Sequence, residues 1–210
     1  PGFDPGARRE RPLVASVTDL QANLTEVALP AHALGVPLRF TGGYRGSGDR
    51  LAAVMRGEVD ITVNSLTTSV KASRSGDIAS ALLISDAPEP SLPGVPFLAG
   101  RGGLVDRVTA GRPAAERAEA LRLAAVAVDT SRVLRAVFVS ARVPEPARAC
   151  LAALVWEVLS GEEFIRASAA VGRPVRPEDR DAAQAAIDRL LDGVRSNRDL
   201  LRRLLHDATR

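Results

Sequence analysis

Three short stretches carry residue types that suit a small anion: "ASVTD" at 15–19, "TGGYRGSGD" at 41–49 and "VNSLTTS" at 63–69. In the second, Gly46 and Ser47 fall where an apolar run gives way to helical spacing. The first amides of a helix lack internal partners, and the helix dipole favours negative charge there. Gly43 and Gly46 leave room for a ligand to reach the backbone, with Tyr44 and Arg45 at the rim. Such a turn suits a carboxylate. It does not suit a nucleotide phosphate, because no lysine and Ser/Thr pair follows Gly46 or Gly48 to reach phosphate and magnesium. The spacing of Gly43, Gly46 and Gly48 also misses the dinucleotide fingerprint. The local sequence equally admits a tight turn with a capping serine. The other two stretches admit an ordinary helix cap in the same way. Three polar loops in succession, each just past a strand, favour one ligand-binding edge.

Bond-making chemistry has little to work with. His32 and His206 stand far apart without ligand spacing, and both read as surface or half-buried histidines. Cys150 is the only cysteine, which excludes an intrachain disulfide and a cysteine metal site. It lies in the apolar helical run "ARACLAALVWEVL" and reads as a small core residue. No histidine neighbours a candidate nucleophile, so the chain reads as a binder and not an enzyme, with no cofactor or metal. The net charge is only +3, and Lys71 is the sole lysine, so the high isoelectric point reflects arginine usage. Acids and arginines alternate along most of the chain, which argues against a nucleic-acid surface. No apolar run approaches the ~18 residues of a membrane span.

The elements that must position these loops follow from periodicity. Residues 1–11 read as a linker or frayed start. Strands are expected at 12–17, 36–42, 59–63 and 78–85, with helices at 19–33, 47–55 and near 67–72 between them. Gly35 and Gly57 stop the first two helices, and Leu51, Val54 and Met55 are expected to face inward from the second. A proline-rich surface loop follows, then a helix at 113–128 and a strand at 133–140. From Pro144 onward the chain reads as helix, with the last two helices starting near Pro177 and Ser196. Strand and helix alternation predicts an α/β architecture with a mainly parallel sheet. With aromatics at 3%, the core must be built from Ala, Leu and Val.

"VPLRFTGGYRGSGDRLAAVMRGEVDI" resembles a stretch of the extracytoplasmic solute-binding receptors of tripartite tricarboxylate transporters. There a strand leads into a "GY-x-G" turn, a helix, and a "GEVD" turn with its strand. "PEPSLPGVPFLA" resembles the same proteins' "P-x-LP-x-VP" loop, and "VSARVPEPARACLAALVWEVLSGEEFIRASAAVGRPV" is similar to their later segment. The resemblance implies a type 2 periplasmic-binding-protein fold, with two α/β lobes around a ligand cleft. It implies a small organic carboxylate as ligand, a membrane permease or sensor as partner, and an extracytoplasmic location. By position, Tyr44, Arg45, Gly46 and Ser47 form one anion-holding turn, Ser16, Val17 and Thr18 its neighbour, and Asn64 and Ser65 the loop after the third strand. "SVTDLQAN" stands where many relatives have a glycine- and serine-rich turn, and Asn64 where many have an acid. The chain opens at Pro1, so it is expected to hold the second lobe (12–130), with a crossover strand and helices (131–210) that pack on the first. The alternative is a regulatory or interaction module that kept the fold and lost the ligand.

Overall fold

Strand β1 (Leu13–Ser16) is the centre of the sheet in the computed structural model, which describes residues 11–18, 24–132, 137–171, 175 and 177–208. Strand β2 (Leu38–Thr41) pairs along one edge, running from Leu13 opposite Leu38 to Ser16 opposite Thr41. Strand β3 (Ile61–Thr62) pairs along the other, with Ala15 opposite Ile61 and Ser16 opposite Thr62. Both pairings are parallel, and the order is β2-β1-β3. Parallel neighbours need crossovers. Here they are a π-helical turn (Leu24–Ala28) running into α1 (Leu29–Leu34), and then α2 (Ser47–Met55). The chain is therefore mixed α/β with a small parallel sheet.

Local chemistry sets the joints. Pro30 has no amide to donate to the Glu26 carbonyl one regular turn back, and the wide turn gives way to α-helix at that point. Gly35 ends α1 with φ of 73°, in the left-handed region, its amide reaching the His32 carbonyl at 3.0 Å. Asp60 ties β1 to the turn before β3: it accepts from the Val14 amide at 2.7 Å and from both Arg11 terminal nitrogens at 2.7 and 2.9 Å.

The main core lies beside the sheet. Helices α3 (Leu66–Ser75) and α4 (Leu104–Val108) precede the long α5 (Ala114–Arg132). On α5, Ala120, Leu123, Ala124, Ala127 and Val128 are buried at the three- and four-residue spacing of one helix face. That face packs against Leu29, Ala33 and Leu34 of α1, with Leu98 and Val105 completing the cluster. The core is indeed aliphatic and alanine-rich. Helices α8 (Arg180–Ser196) and α9 (Arg198–Ala208) return to it: α8 packs on α5, and α9 on the π turn and β2. Asp179 caps α8, accepting from the Ala182 amide at 2.8 Å.

Several expectations need correction. The segment 78–85 is not a fourth strand. A single bridge joins Leu83 to Phe97, with the Leu83 amide bonded to Pro96 at 2.8 Å, and much of the segment lines a cavity instead. Residues 137–140 form no strand, and 133–136 lie outside the described residues, as do 1–10 of the expected linker and 19–23 of the expected first helix. Helix α2 has the expected bounds but a different buried face: Arg50 and Ala53 are buried, and Met55 is exposed. Helix α4 was not anticipated. Helices α6 (Glu145–Ser160) and α7 (Glu162–Ala170) follow Pro144 as expected, yet neither has a buried residue. Cys150 on α6 is accordingly exposed and not a core residue. The carboxyl-terminal helices α8 and α9 pack on the same core as α1 and α5, across the expected boundary at 130.

Candidate functional site

The strand order has a direct consequence for ligand binding. From β1 the chain moves to β2, then crosses back past β1 to β3. β3 is thereby an edge of the sheet, with the loop 63–66 leaving its end. A cavity of about 1010 Å³ lies beside β3, walled by the π turn, α1, α2, the loop 63–66 and the segment 77–89.

Three residues of its wall carry buried polar atoms that make no hydrogen bond. Arg50 is 7% exposed, and its Nε and Nη1 make no hydrogen bond; Nη2 reaches only the Ser47 hydroxyl, at 3.4 Å. Burial pushes the guanidinium below its ordinary pKa, and the charge of Glu26 on the π turn works against that shift. The Thr62 hydroxyl and the Asn64 amide oxygen are likewise buried and unbonded. Helix α2 lies against β3, which brings Arg50 to the same wall as Thr62 and Asn64. Burying such groups without partners costs about 1–3 kcal/mol each and more for a charge, so the wall is built to receive polar atoms.

Much of the rest of the wall is aliphatic, including Leu34, Val36, Leu38 and Ile61, with serines such as Ser69 and Ser80 among it. Its other arginine, Arg132, is held by Asp86 at 2.7 Å and Asp129 at 3.8 Å. Asp60, also on the wall, sits with its carboxyl below the usual range, chiefly through Arg11 and then the Val14 amide, against the opposing effect of burial.

The expected site residues divide around this cavity. Asn64 and Ser65 line it, with Ser65 also capping α3 by accepting from the Thr68 amide at 3.4 Å. Ser16 is fully buried inside β1, its hydroxyl directed to the Ile61 carbonyl at 3.4 Å, and Val17 is buried with its amide on Thr41 at 3.0 Å. Thr18 is exposed. Tyr44, Arg45, Gly46 and Ser47 do not line the cavity. Arg45 is 93% exposed and paired with Asp49 at 3.3 Å. Gly46 precedes α2 without a side-chain cap bond, and Ser47 is the first helical residue rather than a capping serine. The glycine-rich turn is thus open to solvent, and its contribution to the cavity is indirect, through Ser47 and Arg50.

Arg50 and Thr62 were missed. Hydropathy points the α2 stripe at Leu51, Val54 and Met55, whereas the close approach to β3 selects the small Ala53 and carries Arg50 inward with it. No known family model, curated protein or solved structure matches this chain. Among the described residues, no helix is long and apolar enough to cross a membrane.

Proposed function

We propose that this chain is the ligand-binding lobe of an extracytoplasmic solute-binding receptor of the type 2 periplasmic-binding-protein class. It captures a small organic carboxylate and presents it to a membrane permease or sensor. The observation that carries the reading is that Arg50, Thr62 and Asn64, each with buried polar atoms that lack a hydrogen bond, belong to the wall of one cavity beside β3. A guanidinium offers paired N–H donors to a carboxylate, and the neutral Thr62 hydroxyl can donate beside it without adding charge. Binding of this kind needs no bond chemistry; closure around the ligand conveys occupancy to a partner. The test is thermal unfolding across a panel of small mono- and dicarboxylates. A ligand at one hundred times its Kd stabilises by about 2.7 kcal/mol, which is a readable rise in Tm. A flat response to every acid rejects the reading.

One observation favours the second reading, an interaction module without a ligand. Helices α6 and α7 have no buried residue, and Leu154, Trp156 and Val158 are exposed on α6. Exposed apolar surface of this extent is characteristic of protein contacts. That reading expects the carboxylate panel to be flat while the α6 surface becomes shielded on binding a protein partner.

A further inference from the structure

Taking the carboxylate-receptor reading as its basis, we propose that the cavity selects an aliphatic monocarboxylate, anchored head-first on Arg50, and rejects dicarboxylates. The argument is one of charge and wall chemistry. Arg50, whose Nε and Nη1 are buried and unbonded, is part of the cavity wall, as are the neutral side chains of Thr62 and Asn64. A carboxylate head therefore finds one positive partner in Arg50 and a hydroxyl donor in Thr62.

A second carboxylate finds no second unengaged cation among the described residues of the wall. The other cation among the described residues of the wall, Arg132, is already engaged by Asp86 and Asp129. The remaining ionisable groups of the wall are acids: Glu26, Asp60, Asp77 and Glu89. Desolvating a second negative charge among these costs more than one neutral methyl end would. Leucine, isoleucine, valine and alanine make up most of the rest, with serines and prolines among them, and no aromatic residue lines it among the described residues. A flexible alkyl chain can follow such a wall, and a flat ring has nothing there to stack on. The volume of about 1010 Å³ accommodates a medium-length chain.

Three probes of one length separate the terms: octanoate, octanamide and suberate, titrated calorimetrically into the full chain. Octanoate is expected to bind, with octanamide weaker by at least about tenfold for lack of the charged head. Suberate is expected to be weaker by a similar factor because its far end is charged. Arg50→Gln should remove most of the octanoate binding, which alkyl adsorption to the exposed α6 surface would not do. Asn64→Asp, close in shape and lying at the loop, should weaken octanoate at least tenfold by repulsion and serves if the Arg50 variant fails to fold. Suberate binding as tightly as octanoate overturns the selection while leaving a carboxylate receptor intact. So does octanoate binding that survives Arg50→Gln, or binding of short acids such as succinate with none of octanoate. Silence of all these acids overturns the receptor reading itself.

Discussion

At the residue scale, Asp60 shows how a single carboxylate links the sheet to the site. It joins the Val14 amide and the Arg11 guanidinium at the point where β3 begins, and it stands on the cavity wall. Replacing it by asparagine removes the charge from these bonds and is expected to cost about 1–2 kcal/mol. The pH dependence follows from the direction of its shift. The folded carboxyl is held below its unfolded value, which is about 3.9. Its contribution is therefore complete above that value and is lost as pH falls through the lower folded value. Denaturation of the native chain and Asp60→Asn between pH 2 and 6 should give curves that separate above about pH 4 and converge below it. Curves whose separation does not shrink as the pH falls would contradict this role. Residues of the candidate site were legible to unequal degrees. Asn64 and Ser65, on a polar loop just past a strand end, were visible and do line the cavity, although Ser65 also has the helix-cap role that such a loop equally admits. Arg50 was not, because its burial depends on which helix face meets β3, and that is decided by the small volume of Ala53 instead of by hydropathy. Arg45 drew attention through its glycine-rich neighbours, yet its charge is satisfied one helical turn away by Asp49.

At the element scale, the regular units with strong local signals fell where periodicity placed them. β1, β2 and α2 lie within or match their expected bounds, and α5 overlaps its expected range, since each has a clear apolar pattern and a stop such as Gly35. The segment 78–85 has the composition of a strand but lacks a ladder partner, and composition cannot supply one. The return of α8 to α5 was equally invisible, because it depends on a close approach and not on local propensity. That approach sits at Gly193, where an added Cβ would lie 2.6 Å from a γ-methyl of Val126. Val126 is buried and β-branched, so it has little freedom to turn aside. Alanine at 193 would improve helix propensity by up to about 1 kcal/mol. Overpacking costs about 1–3 kcal/mol and opposes that gain. Gly193→Ala is expected to lower Tm by about 2–4 °C for each net kcal/mol lost. Gly193→Ala paired with Val126→Ala should recover part of the loss, since the overlap is then gone. An unchanged Tm in the single variant would mean that the two helices part without cost.

At the scale of the whole molecule, the described residues fall into a packed body and an arm. The body unites the sheet, α1, α4, α5, α8 and α9 around one core. The arm spans 137–171. Val137 and Phe138 in it are more than 70% exposed, and the principal neighbour of α6 is α7. Its polar ties to the body include an ion pair between Glu145 and Arg180 at 3.3 Å, both exposed, which contributes little in water. Helices with so little burial open locally at low free energy. Two reporters lie on α6: Trp156, the only tryptophan, and Cys150, the only cysteine. In dilute solution, Trp156 fluorescence should be quenched readily by iodide, and Cys150 should react with a maleimide at nearly the rate seen in urea. Limited proteolysis should cut first within 137–171. The two fragments should then stay together on a sizing column, because α8 and α9 remain packed on α5, the π turn and β2 across the cut. Fragments that separate would show that the arm supports the return of α8. A shielded Trp156 and a slow Cys150 would show that the arm is covered in solution, and the dependence of that shielding on protein concentration would distinguish a second copy from a contact within the chain.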